Sequence, residues 1–148
     1  MKTIPHAFRY RAAALIVKDG KLLVEKHVDY PVYYTVGGGV ELGESSEEAV
    51  LREIWEETGL RLEIDRLAFV NERFLTVDGH DCHEVVFYYR MKPAEFDIAE
   101  GSFTDQGEKE SLHWLPLDCL DKFNLVPAFL KTKLRASQGG IEHMITRE

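Results

Sequence analysis

Cysteine is scarce in this chain: its 148 residues hold two, Cys82 and Cys119. They form no CxxC pair and are too few for a disulfide framework. That excludes the stapled secreted scaffolds and predicts reduced thiols in a cytoplasmic setting. Basic residues are outnumbered, 18 Lys and Arg against 26 Asp and Glu, for a net charge of −8. Such a surface repels nucleic acid, whose binding needs clustered cations to displace counterions, so no nucleic-acid partner is expected. No apolar run approaches the ~20 residues of a membrane span, so no membrane partner is expected either. Met1-Lys2-Thr3-Ile4-Pro5-His6 lacks the apolar stretch and cleavage site of a secretory signal. There is no internal repeat, low-complexity tract or linker, so residues 1–148 are expected to form one continuous domain, monomeric or homodimeric. At 45% hydrophobic, a chain of this length can bury a core.

The elements follow from local pattern. Ala12 to Val17 is a short apolar run that predicts a strand buried on both faces. Asp19-Gly20 is a hairpin signal, and Leu22-Leu23-Val24 the returning strand. Tyr33 to Val36 predicts a strand that delivers the chain to a glycine-rich loop at Gly37-Gly38-Gly39. Ser45 is an N-cap candidate, with Glu48 completing a capping box, and Gly59 fits the helix stop. Leu62 to Val77 predicts a long strand, bent or interrupted near Asn71-Glu72. Asp78-Gly79 turns the chain, and Glu84 to Met91 returns antiparallel. Lys92 to Glu110 reads as loop, Ser111 to Leu115 as a short strand, and Pro127 opens a helix through about Ala136, ended at Gly139-Gly140. Strands on both sides of a central helix, with a second helix late, predict a mixed sheet between helical layers.

The helix between Ser45 and Gly59 carries Glu53, Glu56 and Glu57 at i, i+3 and i+4, one helix face. Leu51, Ile54 and Trp55 cluster roughly opposite and are expected to pack. Ala49 falls on the carboxylate side, where its small size would let a substrate or neighbouring strand come close. Like charges so crowded repel unless a cation sits among them. An acidic helix face alone is commonly just solvated. The three glycines before it change that weighing, because they permit close backbone approach and offer hard carbonyl oxygens. Carboxylates and carbonyls together make an oxygen-only set suited to Mg²⁺ or Mn²⁺.

The run from Gly38 through Glu44 to Arg52-Glu53-Ile54-Trp55-Glu56-Glu57-Thr58-Gly59-Leu60 resembles the Nudix box at every fixed position. Chance would give that match with odds on the order of 10⁻⁹ per starting point. The resemblance implies a Nudix-type α/β/α sandwich with a mixed β-sheet. It also implies divalent-metal-dependent hydrolysis of a phosphoanhydride in a nucleoside diphosphate linked to another moiety, with a small nucleotide as substrate. Carried over, it makes Glu56 and Glu57 the principal metal ligands and Glu53 a further ligand or the base. A carbonyl of Gly37 or Gly38 would join the ligands, and Gly38 and Gly39 would make room for the diphosphate. Arg52 would orient the glutamates, and Glu44 would brace the loop or join the metal cluster. A distal carboxylate is expected from the loop before Trp114, with Glu108 favoured over Glu110. Arg9, Arg11, Lys26 and His27 are candidate phosphate contacts. Tyr33, Tyr34, Phe74 and Phe87 could stack on a base, although aromatics in strands usually pack. His80, Cys82 and His83 match no zinc spacing.

The box says little about substrate. Dinucleoside polyphosphate hydrolases tend to place a Tyr downstream, where Thr76-Val77-Asp78 stand here, and ADP-ribose hydrolases a Pro, where Leu75 stands. What remains resembles the MutT-like group, many of which act on (oxidised) nucleoside triphosphates. The alternatives are an ADP-ribose or nucleotide-sugar pyrophosphatase, an isomerase of isoprenoid diphosphates, and a non-hydrolytic nucleotide sensor.

Overall fold

A computed structural model describes residues 7–136 and 139–148. The reading of Met1 to His6 and the exact stop of the last helix lie outside the described residues. Among the described residues, nine strands join one mixed sheet. In chain order they are β1 (Ala7–Leu15), β2 (Val17–Lys18), β3 (Lys21–His27), β4 (Tyr33–Gly39), β5 (Ile64–Val77), β6 (His80–Met91), β7 (Phe103–Thr104), β8 (Gly107–Pro116) and β9 (Glu142–Arg147), with helices α1 (Ser46–Thr58) and α2 (Leu130–Ala136). The strand order is β7-β8-β3-β4-β1-β6-β5-β9, with β2 paired to β3. β1–β6 and β5–β9 are parallel, and the other pairs are antiparallel. No helix among the described residues is long and apolar enough to cross a membrane.

Strand alternation divides the core in two. Ala12, Ala14 and Ile16 face one side with Leu23, Val36 and Tyr89, under Ala49, Val50 and Ile54 of α1. Ala13 and Leu15 face the other with Leu22, Val24, Val86 and Tyr88, against Leu120, Leu125, Leu130 and Leu134. The expected layers are therefore present, with α1 on one face and a 3-10 turn (Leu117–Lys122) plus α2 on the other.

The local signals act as expected. Asp19 and Gly20 take φ of 52° and 74°, and Asp78 and Gly79 take 50° and 78°; positive φ at both central residues is the type I′ hairpin turn. Ser45 and Glu48 form a capping box, and Gly59 ends α1 at φ 75°. Other boundaries differ. Gly37, Gly38 and Gly39 are not a loop but the end of β4, paired with Ala13, Ala12 and Arg11 of β1. The register shifts of β5 fall between Ile64 and Phe69, before Asn71. The polar stretch read as loop contains β7 and the first part of β8, closed by a hairpin at Thr104 and Gly107. Pro127 precedes α2 by three residues rather than opening it, and the C-terminal segment adds β9 beside β5.

The packing side of α1 also differs. Ser46, Ala49, Val50 and Ile54 are buried, whereas Leu51 and Trp55 are exposed, with the Arg61 guanidinium 4.1 Å from the Trp55 ring centroid. Small Ser46 and Ala49 let the helix lie close to the sheet, where Ser46 hydrogen-bonds Tyr89. Glu53 and Glu57 follow Ala49 at i+4 and i+8, so this docking turns them towards the strands.

The glycines at the end of β4 make that approach possible. A Cβ on Gly37 would stand 2.3 Å from the carbonyl oxygen of Ala12, and one on Gly38 would stand 2.4 Å from the Glu53 carboxyl, whereas one on Gly39 meets nothing within 4 Å. Gly37→Ala is expected to lower stability in urea unfolding by about 2–3 kcal/mol, because its clash is with backbone. Gly39→Ala should stay within about 0.5 kcal/mol of wild type.

Candidate active site

Arg52 organises the start of the site. Its five N–H donors make five hydrogen bonds: Nε to Glu44 Oε2 (2.8 Å), Nη2 to Glu44 Oε1 (2.9 Å) and to the Gly39 carbonyl (3.0 Å), and Nη1 to Glu53 Oε1 (2.8 Å) and Glu56 Oε2 (3.2 Å). The forked pair with Arg52 pulls the Glu44 carboxyl down to about 2, helped by the Glu41 backbone N–H that Glu44 accepts. Glu44 thus braces the turn between β4 and α1 through Arg52, which it shares with Glu53 and Glu56. Arg52 is in turn held charged, first by those bonds to Glu44. Hydrogen bonds to an ion are the stronger kind, so strand end, turn and helix are tied at one guanidinium.

Behind this brace, carboxylates from three elements converge. Oxygens of Glu25 (β3), Glu57 (α1) and Glu110 (β8) all lie within 4.8 Å of one another. Glu25 is 1% exposed and Glu110 8%. Two unit charges 4.8 Å apart repel by about 3–4 kcal/mol at an effective dielectric of about 20. All three cannot stay ionised without a proton or a cation among them. Burial, then the hydrogen bond and charge of Glu57, hold the Glu25 carboxyl well above the usual range. Burial foremost, with repulsion from Glu53 and Glu110, pushes Glu57 up to about 8. Glu57 Oε2 accepts the Gly37 N–H at 3.3 Å. Glu110 accepts from Tyr34 Oη at 2.6 Å and Thr104 Oγ1 at 2.8 Å. That bond and burial, the larger effect, raise the Tyr34 phenol. Glu25 Oε1 is buried and accepts no hydrogen bond from an N–H or hydroxyl donor, an orphan acceptor that a bound water or ion would satisfy. The donors are all hard oxygens, the set a Mg²⁺-type cation takes.

A cavity of about 370 Å³ opens from this cluster, lined at the acidic end by Glu25, Glu57, Glu110 and Gly37 and at the other by Arg9, Arg11, Arg73 and Glu84. Its size suits a small ligand. The expected contacts Arg9 and Arg11 lie here, and His27 is at the wall, while Lys26 is not. Alternation along β3 turns Lys26 away from the cavity that Glu25 and His27 face, and its ammonium sits 5.4 Å from the Tyr33 ring centroid. Glu53 borders the cluster, packed on Gly38 and tied to Arg52. Glu56 is not brought in: its side chain is 42% exposed and paired with Arg52. Gly38 and Gly39 do not line the cavity. Of the two expected distal carboxylates, the structure brings Glu110 and not the favoured Glu108 into this cluster. Pairing of β8 with β3 ends at Glu110 opposite His27, so Glu108 lies beyond it, exposed near the hairpin tip. Of the four aromatics Tyr33, Tyr34, Phe74 and Phe87, Tyr34 lines the cavity, beside Tyr30 and Tyr88; Phe74 stacks on His83 and Phe87 meets Tyr10 edge-on. Glu25, Glu84 and Arg73 were not foreseen. The available signal was a lone carboxylate beside an apolar triplet, Leu22-Leu23-Val24-Glu25, in a strand.

A model of the NUDIX domain matches residues 8–134. A MutT-like protein of Streptomyces ambofaciens is 34% identical over 107 residues, 72% of this chain and 62% of that protein. An RNA pyrophosphohydrolase of Cereibacter sphaeroides is 41% identical over 58 residues, 38% of this chain and 35% of its own. The chain thus spans less than two thirds of the length of these curated relatives. Among solved structures, a mutator MutT protein from Bacillus halodurans shares the fold, with a TM-score of 0.70 at 20% identity over 87% of this chain and 83% of its own. A MutT NUDIX hydrolase from Burkholderia pseudomallei has a TM-score of 0.60 at 30% identity, over 75% and 84%.

The raised carboxyls make stability depend on pH with a definite sign. Between the ordinary carboxylate range and about 8, the folded state keeps protons that the unfolded state has lost, so stability falls as pH rises. In EDTA the Tm is expected to drop by ~5 °C or more from pH 5 to pH 8, with Glu57→Gln flattening the fall. Added Mg²⁺ should raise the Tm more at pH 8 than at pH 5, because it competes with those protons.

Proposed function

The chain belongs to the Nudix family, and on that premise we propose that it hydrolyses a phosphoanhydride bond in a nucleoside diphosphate linked to a further group. A divalent cation, Mg²⁺ or Mn²⁺, would be held by Glu57, Glu25 and Glu110. The observation that carries this reading is the buried Glu25 Oε1, unpartnered beside two further carboxylates. An oxygen-only trio with one orphaned acceptor fits a hard cation and leaves no role for a softer one. When bound, the cation would polarise the phosphoryl oxygens and neutralise charge that develops on them.

The chain's own residues do the rest. Glu57, anchored by the Gly37 N–H, and Glu25 hold one side of the reacting centre. Glu110 comes from the strand beside that of Glu25, with no cationic partner among the described residues, oriented by Tyr34 and Thr104; it is the group we assign to take the proton of the attacking water. Glu53, whose Oε1 is committed to Arg52, supports Glu57. Arg52 and Glu44 fix the geometry without touching substrate. Within this class a nucleoside triphosphate comes first, because the relative matched over most of this chain is MutT-like. An ADP-ribose pyrophosphatase of Methanocaldococcus jannaschii, 51% identical over 49 residues, supports a nucleotide diphosphate as the second reading.

The test is phosphate and pyrophosphate release from nucleoside di- and triphosphates, ADP-ribose, dinucleoside polyphosphates and nucleotide sugars with saturating Mg²⁺ or Mn²⁺. Glu57→Gln and Glu110→Gln are expected to lower kcat by about 10²–10⁴, and Glu108→Gln by less than about twofold. No release from any substrate, or a wild-type rate in Glu57→Gln, would overturn the assignment.

A further inference from the structure

The cavity has a second charged end. Glu84 of β6 is 2% exposed and faces three guanidiniums: Arg9 Nε at 2.7 Å and Arg11 Nε at 3.7 Å from Oε2, and Arg73 Nη1 at 3.1 Å from Oε1. Arg73 is further bound by Glu148 through Nε and Nη2. That leaves Arg9 and Arg11 sharing one carboxylate, an excess of positive charge in a chain whose net charge is −8. Their side chains are 39% and 32% exposed and line the cavity. Arg9 Nε is buried and makes no well-aligned hydrogen bond despite its closeness to Glu84. Among the described residues, Glu84 is the one carboxylate partner of Arg11.

Position and chemistry then narrow the ligand. On β1, Ala13 stands opposite Gly37 at the acidic end, and Arg11 and Arg9 lie two and four residues back, about 7 and 13 Å along the strand. Ala13, Val86, Tyr88 and Pro127 line the space between the ends. Both Glu84 oxygens are occupied by guanidiniums, so this wall offers almost only N–H donors. A nucleobase edge carries donors of its own that would find few acceptors here. An acceptor-only group, above all a phosphate dianion, would satisfy every free N–H.

We propose that Arg9 and Arg11, set on Glu84, form a phosphate-binding subsite, so that the substrate carries a second phosphate about 7–13 Å from the reacting anhydride. This deepens the hydrolase reading and rests on it for orientation of the substrate, but the subsite itself needs no cation. The phosphate could end a polyphosphate chain or sit on the far side of the sugar.

The experiment is calorimetric titration of the full chain in EDTA, where only the arginine end attracts anions. The probes are inorganic tripolyphosphate, adenosine 3′-monophosphate and adenosine. Phosphate-bearing probes are expected to bind and adenosine not, with affinity falling about tenfold or more in Arg11→Gln and in Arg9→Gln. Arg11→Lys, which keeps the charge, should fall between wild type and Arg11→Gln, and it guards against a variant that simply fails to fold. Tighter binding of tripolyphosphate assigns the subsite to a chain end, and tighter binding of the 3′-monophosphate assigns it to the sugar side. Binding should persist in Glu57→Gln, which separates failure of the hydrolase reading from failure of the subsite. Adenosine binding as well as its phosphate, or equal affinities in wild type and both glutamine variants, would overturn the proposal.

Discussion

Carboxylates that repel one another are forced together here by three elements that cannot move apart. Glu25 comes from the middle of the sheet, Glu57 from the last turn of α1, and Glu110 from the strand beside β3. Each position is fixed by packing unrelated to charge: Val24 and Leu23 in opposite cores, Ile54 under α1, and Leu112 behind β8. Folding therefore imposes a repulsion that a proton or a cation must relieve, and burial first, with that repulsion added, raises the carboxyls of Glu25 and Glu57.

Everything around the cluster serves this confinement. Glycine at positions 37 and 38 lets β4 run against β1 and under the Glu53 carboxyl. Small Ser46 and Ala49 bring α1 down to the sheet. Arg52 uses all its donors to lock strand end, turn and helix, and its one positive charge is shared by Glu44, Glu53 and Glu56 on the near side. It does not reach Glu25 or Glu110. Among the described residues the buried trio has no ion-pair partner, and across the cavity stand Arg9 and Arg11, whose excess has the opposite sign. A ligand that is anionic at both ends, with a cation at one of them, matches that pattern.

What the sequence reveals divides by range. The two Asp-Gly turns, the Ser45–Glu48 capping box and the Gly59 stop are decided by a few neighbouring residues, and each is legible. The layered sandwich follows from element order, and the box signals Glu53, Glu57, Arg52 and Glu44 as a set. The rest depends on tertiary neighbours. Leu51 and Trp55 look like the packing side of α1 because they are large, but the sheet surface accepts Ala49 and Val50 instead. Glu108 and Glu110 are alike in sequence, and only the end of the β3–β8 ladder separates them. Glu25 reads in sequence as the end of an apolar strand, and Glu84 as the start of one. That both are buried is set by partners distant in the chain, Glu57 and Glu110 for one and Arg9, Arg11 and Arg73 for the other.

We propose that the buried trio, rather than the exposed rim of the box helix, holds the metal. Anomalous scattering from crystals soaked in Mn²⁺ tests it directly. The expected result is a peak bonded to oxygens of Glu25, Glu57 and Glu110 at about 2.0–2.2 Å. A peak at the solvent-exposed Glu56 with the buried trio empty would contradict it.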